Sequence, residues 1–219
     1  MNKTIILGAS RGLGAELVKT ISSRQVPVLG VARKEVLLKK LKDENQQFTY
    51  QVADFSKLAD QQELIMQLTN PATEKIFYTA GGGPYGLYGK HQWSDHQWAL
   101  EVCFLFPARL LHALAQKNLQ PQVILVGSSV AESDADPNAT SYASAKHALK
   151  GLFASLRKEY PNWDLRLFSP GYIDTELLPA NAAVRKHGVF NPTTLAQDLW
   201  TWSLTTDPSG HKLYPKYST

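Results

Sequence analysis

Six short runs of aliphatic and β-branched residues punctuate this chain, at 4–7, 26–31, 48–52, 75–79, 122–126 and 165–168, with longer amphipathic stretches between them. Strand-length and helix-length patterns in strict alternation predict βαβ units, and therefore a mostly parallel sheet covered by helices on both faces. Right-handed crossovers bring every strand's C-terminal end to one rim, so chemistry is expected in the loops that follow strands. With 219 residues, 43% hydrophobic side chains and no low-complexity linker or repeat, the chain is expected to form a single domain over 1–219.

Composition removes several functional classes. The lone cysteine, Cys103, has no partner for an internal disulfide, and MNKTIILGAS turns into a strand and glycine loop instead of a signal peptide's apolar core. A cytoplasmic location is the resulting expectation. No apolar run approaches the roughly 20 residues of a bilayer span, so no membrane association is expected. The net charge of +4 is spread along the chain, which argues against a nucleic-acid partner.

The motifs sit where the pattern places the rim. In GASRGLG, Gly8, Gly12 and Gly14 stand between the first strand and an amphipathic stretch from Gly12 to about Ser23. Missing side chains there let the backbone approach a diphosphate, and the helix N-terminus adds N–H donors and a favourable dipole. The second strand runs into Ala32-Arg33-Lys34, with no carboxylate to meet a ribose 2′-hydroxyl. Arg33, together with Arg11 in the glycine loop, suits a 2′-phosphate, which favours NADP(H) over NAD(H). Asp54 follows the third strand, at a position that could cap the next helix.

Downstream, Tyr142-Ala-Ser-Ala-Lys146 places a phenol and an ammonium on one face of a helix predicted over about 140–160. Ser129 precedes Tyr142 by thirteen residues, directly after the strand QVILV, and its neighbour Ser128 reads as a turn residue. SPGYIDT, from Ser169 to Thr175, follows the last of the six strands.

Taken together, GASRGLG, SS-(x12)-Y-x-x-x-K and SPGYIDT resemble the short-chain dehydrogenase/reductase family over at least residues 4–198. The resemblance implies a Rossmann-like, doubly wound fold and an NADP(H)-dependent carbonyl reductase acting on a small-molecule carbonyl or alcohol. Ser129 would polarise the carbonyl, Tyr142 would act as general acid/base, and Lys146 would bind the ribose and lower the tyrosine pKa. Gly8, Ser10, Arg11, Gly12, Leu13, Gly14, Arg33, Asp54, Ala80, Gly81, Pro170, Gly171, Ile173 and Thr175 would hold the cofactor along with Tyr142 and Lys146, Asp54 by contact with the adenine ring. It further implies a short substrate lid around 175–190, with Gly82 to Tyr88 and the segment HKLYPKY beside it. A homodimer is implied, or alternatively a homotetramer.

Two departures from the family pattern stand out. Tyr78-Thr79-Ala80-Gly81 replaces the usual Asn-Asn-Ala-Gly, leaving Thr79 to brace the sheet, and Cys103 falls where the fourth catalytic residue, asparagine, is usual. A thiol lacks the donor and acceptor pair of an amide, and Cys103 in its apolar surroundings reads as an inert core residue. These departures open a second reading, a catalytically weak NADP(H)-binding regulatory or scaffold protein. His91, His96, Trp93 and Trp98 show no metal-ligand spacing and read as packing and surface residues.

Overall fold

The computed structural model describes residues 4–133 and 136–218, so the first three residues of MNKTIILGAS lie outside it. Seven strands form one sheet in the order β3-β2-β1-β4-β5-β6-β7: β1 Thr4–Leu7, β2 Val28–Ala32, β3 Phe48–Val52, β4 Lys75–Tyr78, β5 Gln122–Val126, β6 Leu165–Ser169 and β7 His211–Leu213. Every pairing is parallel. The strand order reverses at β1, so the loops after β1 and β4 splay apart and leave a crevice on the C-terminal rim.

Side-chain alternation divides the core between two faces. Ile6, Phe77, Ile124 and Phe168 point towards α1 (Gly12–Ser22), α2 (Glu35–Glu44) and α7 (Pro192–Ser203). Ile5, Leu7, Ile76, Tyr78 and Leu125 point towards α3 (Leu58–Leu68), α5 (Phe106–Gln116) and α6 (Thr140–Glu159). Strands sandwiched between helices must be apolar on both faces, which is why their sequences read as unbroken hydrophobic runs.

Three expectations change. Strand β2 begins at Val28 because Pro27 before it has no N–H for the ladder. The C-terminal segment adds a seventh strand, β7, which pairs Leu167 with His211 and Ser169 with Leu213. Its three residues are too short for a periodic signal. Finally, α4 (Trp93–Leu100) continues through a π-helical turn, Glu101–Leu105, into α5, and the whole run Trp93–Gln116 is long and apolar enough to cross a bilayer. Three charged residues, Asp95, Glu101 and Arg109, and Pro107 interrupt the run in the sequence. Its Val102, Phe106, Leu110, Leu111 and Leu114 pack into the core beneath the sheet.

The π turn has a local cause. Pro107 has no N–H to return to the Cys103 carbonyl four residues earlier, and its ring crowds that carbonyl. The widened turn carries Cys103 inward, towards the loop after β4.

Candidate active site

The glycine loop is sterically compelled. Gly8 has φ +104°, and a Cβ there would lie 2.5 Å from the Ala80 nitrogen. A Cβ on Gly14 would lie 2.2 Å from the Gly8 carbonyl oxygen. The loops after β1 and β4 thus touch through bare backbone. Thr79 fastens them, its hydroxyl donating to the Leu7 carbonyl at 3.0 Å, while Tyr78 donates its phenol to the Val102 carbonyl at 2.5 Å. Helix α1 starts without a side-chain cap from Arg11, so its first-turn N–H groups are available to an anion.

One cavity of about 250 Å³ follows this rim. Gly8, Ser10, Arg11, Gly12, Leu13, Gly14, Arg33, Lys34 and Asp54 line one end of it. Ala80, Gly81, Pro170, Gly171, Ile173 and Thr175 line it further along, with Tyr142 and Lys146. Every residue anticipated on the cofactor side is therefore on a single wall system. Arg33 lies with its guanidinium carbon 5.0 Å from the Trp98 ring centre, a residue that sequence reasoning had assigned to packing. Asp54 does not cap α3, whose first turn has no side-chain cap. Its Oδ1 accepts instead from the Ser56 N–H at 3.0 Å and hydroxyl at 2.7 Å. Burial acts to raise the Asp54 pKa, but these bonds and the nearby Arg33 charge outweigh it and hold the carboxyl below its usual value.

At the other end, the two serines after β5 part company. Ser128 lines the cavity with Tyr142, whereas Ser129, 2% exposed, is not part of its wall. The reason is backbone alternation. Ser128 is extended (φ −168°, ψ 147°), and Ser129 begins a 3-10 turn whose N–H donates to the Pro170 carbonyl at 2.8 Å, which directs its side chain away. Counting residues back from Tyr142 could not reveal that one-position difference.

Lys146 is 2% exposed, donates to the Val126 carbonyl at 2.6 Å and lies 5.4 Å from the Tyr142 ring centre. Burial lowers its pKa, partly opposed by Cys103. The expectation that Lys146 depresses the Tyr142 pKa is not met among the protein groups. Burial pushes the phenol well above its usual range, Cys103 adds to this, and only the neighbouring Ser128 hydroxyl acts in the other direction. The phenol is consequently held neutral.

Cys103 is fully buried in the core, as anticipated, but it is not without polar partners. Its Sγ accepts from the Gly82 N–H at 3.3 Å and donates to the Gly82 carbonyl at 3.2 Å. A Cβ built on Gly81 would lie 3.4 Å from Lys146 Nζ and 3.6 Å from Cys103 Sγ, which puts thiol and ammonium behind the same stretch of loop.

Above the cavity, the segment 175–190 is tied down by Arg185. Its guanidinium bonds the Asp174 carboxylate at 2.6 Å and the carbonyls of Thr175, Leu178 and Pro179. Glu176 in this segment pairs with Arg11 at 2.9 Å, joining it to the glycine loop. Leu177, Leu178, Gly83, Pro84 and Tyr85 line the cavity beside Tyr142. From HKLYPKY, Tyr214 packs on Phe168 and Phe190 behind the Pro-Gly loop. Buried His96 bonds the Ser141 hydroxyl at 2.6 Å, and no metal-ligating cluster is present among the described residues.

The strand order, the glycine loop and the crevice beside β1 define a Rossmann-like fold. The chain belongs to the short-chain dehydrogenase family, whose model matches residues 2–185. It is 32% identical over 197 residues to a dehydrogenase/reductase SDR family protein 7-like from Dictyostelium discoideum, covering 80% of this chain and 60% of that protein. Against the curated relatives it matches, the chain spans 60–64% of their length. A short-chain dehydrogenase/reductase from Vibrio parahaemolyticus superposes with a TM-score of 0.82 at 21% identity, covering 98% of this chain and 100% of that one. A short-chain dehydrogenase from Sphingobium yanoikuyae in complex with NADPH superposes with a TM-score of 0.79 at 19% identity, over 96% and 86% of the respective chains.

Proposed function

We propose that this chain is an NADP(H)-dependent oxidoreductase that interconverts a carbonyl and an alcohol. The observation that carries this reading is the meeting of Tyr142, Ser128 and Lys146 in the cavity whose far end is the glycine loop. A dinucleotide fits that end because Gly8 and Gly14 leave bare backbone and α1 offers uncapped N–H groups. Arg33 and Arg11 are the candidates for the 2′-phosphate, with Lys146 for the ribose hydroxyls. The solved Sphingobium relative with NADPH supports the cofactor assignment by analogy of fold.

When bound, NADPH supplies a hydride to the carbonyl carbon. The remaining steps belong to the chain. Ser128 donates a hydrogen bond to the substrate oxygen, and Tyr142, neutral because it is buried, delivers a proton to that oxygen as it gains charge. Lys146, anchored on the Val126 carbonyl, would bind the ribose hydroxyls of the cofactor. Leu177, Leu178 and Tyr85 provide apolar walls that keep water from the reacting carbon.

The reading is tested by NADPH consumption over a panel of ketones and aldehydes. Turnover by the wild type with a fall of at least ~10²-fold in Tyr142→Phe supports it. NADPH binding with no turnover across the panel would favour the regulatory alternative.

A further inference from the structure

Beyond Tyr142, the cavity wall formed between β5 and α6 carries a carboxylate that the proposed mechanism does not use. Asp136 is 5% exposed and lines the cavity together with Tyr85 and Tyr172. Its Oδ1 accepts from the Asn138 N–H at 2.9 Å and its Oδ2 from the Tyr172 hydroxyl at 2.6 Å. Two bonds occupy about half of the roughly four acceptor sites of a carboxylate. Neither donor is a cation, and no salt bridge to Asp136 is present among the described residues. Three of the cavity's four basic groups are engaged elsewhere, Arg11 with Glu176, Arg33 over Trp98 and Lys146 on the Val126 carbonyl, and the fourth, Lys34, belongs to the loop after β2.

A carboxylate withdrawn from water without a cation is costly, and here it faces the space reserved for a ligand. The neighbouring rings strengthen the same preference. Tyr172 stacks on Tyr217 with ring centres 5.7 Å apart, which fixes its plane, and Tyr85 lies on the same wall. Aromatic faces beside a carboxylate attract a positive charge and repel a second anion. We propose that Asp136 is a specificity-determining residue that receives the protonated amine of an amine-bearing ketone or aldehyde. The proposal rests on the oxidoreductase reading and names its substrate class.

Two ketones of nearly equal shape test it: 4-(aminomethyl)acetophenone, which carries an ammonium, and 4-ethylacetophenone, which does not. With NADPH, the wild type is expected to show at least ~10-fold higher kcat/KM for the amine, carried mainly by KM. In Asp136→Asn, which keeps the shape and can still accept from Tyr172, that ratio is expected to fall about 10- to 100-fold, the size of a lost charge-assisted hydrogen bond. Equal turnover of the two ketones by the wild type, or a ratio unchanged in Asp136→Asn, overturns the proposal and leaves the oxidoreductase reading intact. Calorimetric binding of both ketones to the NADPH-loaded chain covers the other case. Amine-selective binding that Asp136→Asn abolishes, without turnover, upholds Asp136 while sinking the oxidoreductase reading. Absence of both binding and turnover for both ketones overturns the Asp136 proposal, while the oxidoreductase reading is decided by the wider panel.

Discussion

Cys103 and Gly82 form a closed pair, the thiol accepting from the glycine N–H and donating to the same residue's carbonyl. The side chain thereby satisfies two buried backbone groups at once. In Cys103→Ala both lose their partner, and a loss of about 1–3 kcal/mol is expected in urea unfolding. The native thiol is also expected to resist iodoacetamide until the chain unfolds, since burial raises its pKa and excludes the reagent. Rapid labelling of the folded protein would contradict this arrangement.

Ser128 and Ser129 are separable by single substitutions. Ser128→Ala removes the hydroxyl beside Tyr142 and is expected to lower kcat about 10²-fold with little change in NADPH affinity. Ser129→Ala removes a hydroxyl outside the cavity wall, so its effect on kcat is expected to stay within about threefold. The reverse ranking in steady-state assays would return the role to Ser129.

That serine pair shows where sequence reading runs out. Strand and helix positions were legible because burial on both sheet faces demands continuous apolar runs, and the glycine loop because no other residue fits beside Ala80. Spacing on a helix fixed Tyr142 and Lys146 relative to each other, since helical geometry is uniform. The step from strand β5 into a 3-10 turn follows no such period, so which serine faces inwards depended on backbone angles that residue counting does not contain. Cys103's partner and the β6–β7 pairing are long-range contacts of the same kind. Asp136 was missed because a lone aspartate in a connecting segment looks like any solvated loop residue.

Cofactor preference centres on Arg33. Its position over Trp98 and near Asp54 places a permanent cation on the cavity wall. Arg33→Ala is expected to raise the NADPH Kd about 10- to 100-fold and the NADH Kd far less, as measured by fluorescence titration. An unchanged ratio of the two affinities would remove Arg33 from the 2′-phosphate site.

Stability in alkali follows from buried phenols. Burial raises the pKa of Tyr78, Tyr142 and Tyr172 in the folded chain. Above the ordinary tyrosine value near ~10 the unfolded chain therefore binds fewer protons than the folded one, so the slope of unfolding free energy with pH is negative. Their contribution is complete below pH ~10 and declines as pH rises towards the folded-state values. Urea midpoints are expected to fall beyond pH ~10, with a shallower fall in Tyr78→Phe. A midpoint that is flat from pH 9 to 11 would contradict the burial of these groups.

The central claim concerns Tyr142 as the proton donor, and single-turnover reduction by NADPH-loaded protein measures it directly. The wild type is expected to oxidise its bound NADPH on mixing with a ketone substrate, at a rate that stays level up to pH ~9.5 because the buried phenol remains neutral. Tyr142→Phe is expected to bind NADPH with near-normal affinity and to react at least ~10²-fold more slowly. Equal single-turnover rates in wild type and Tyr142→Phe would contradict the account.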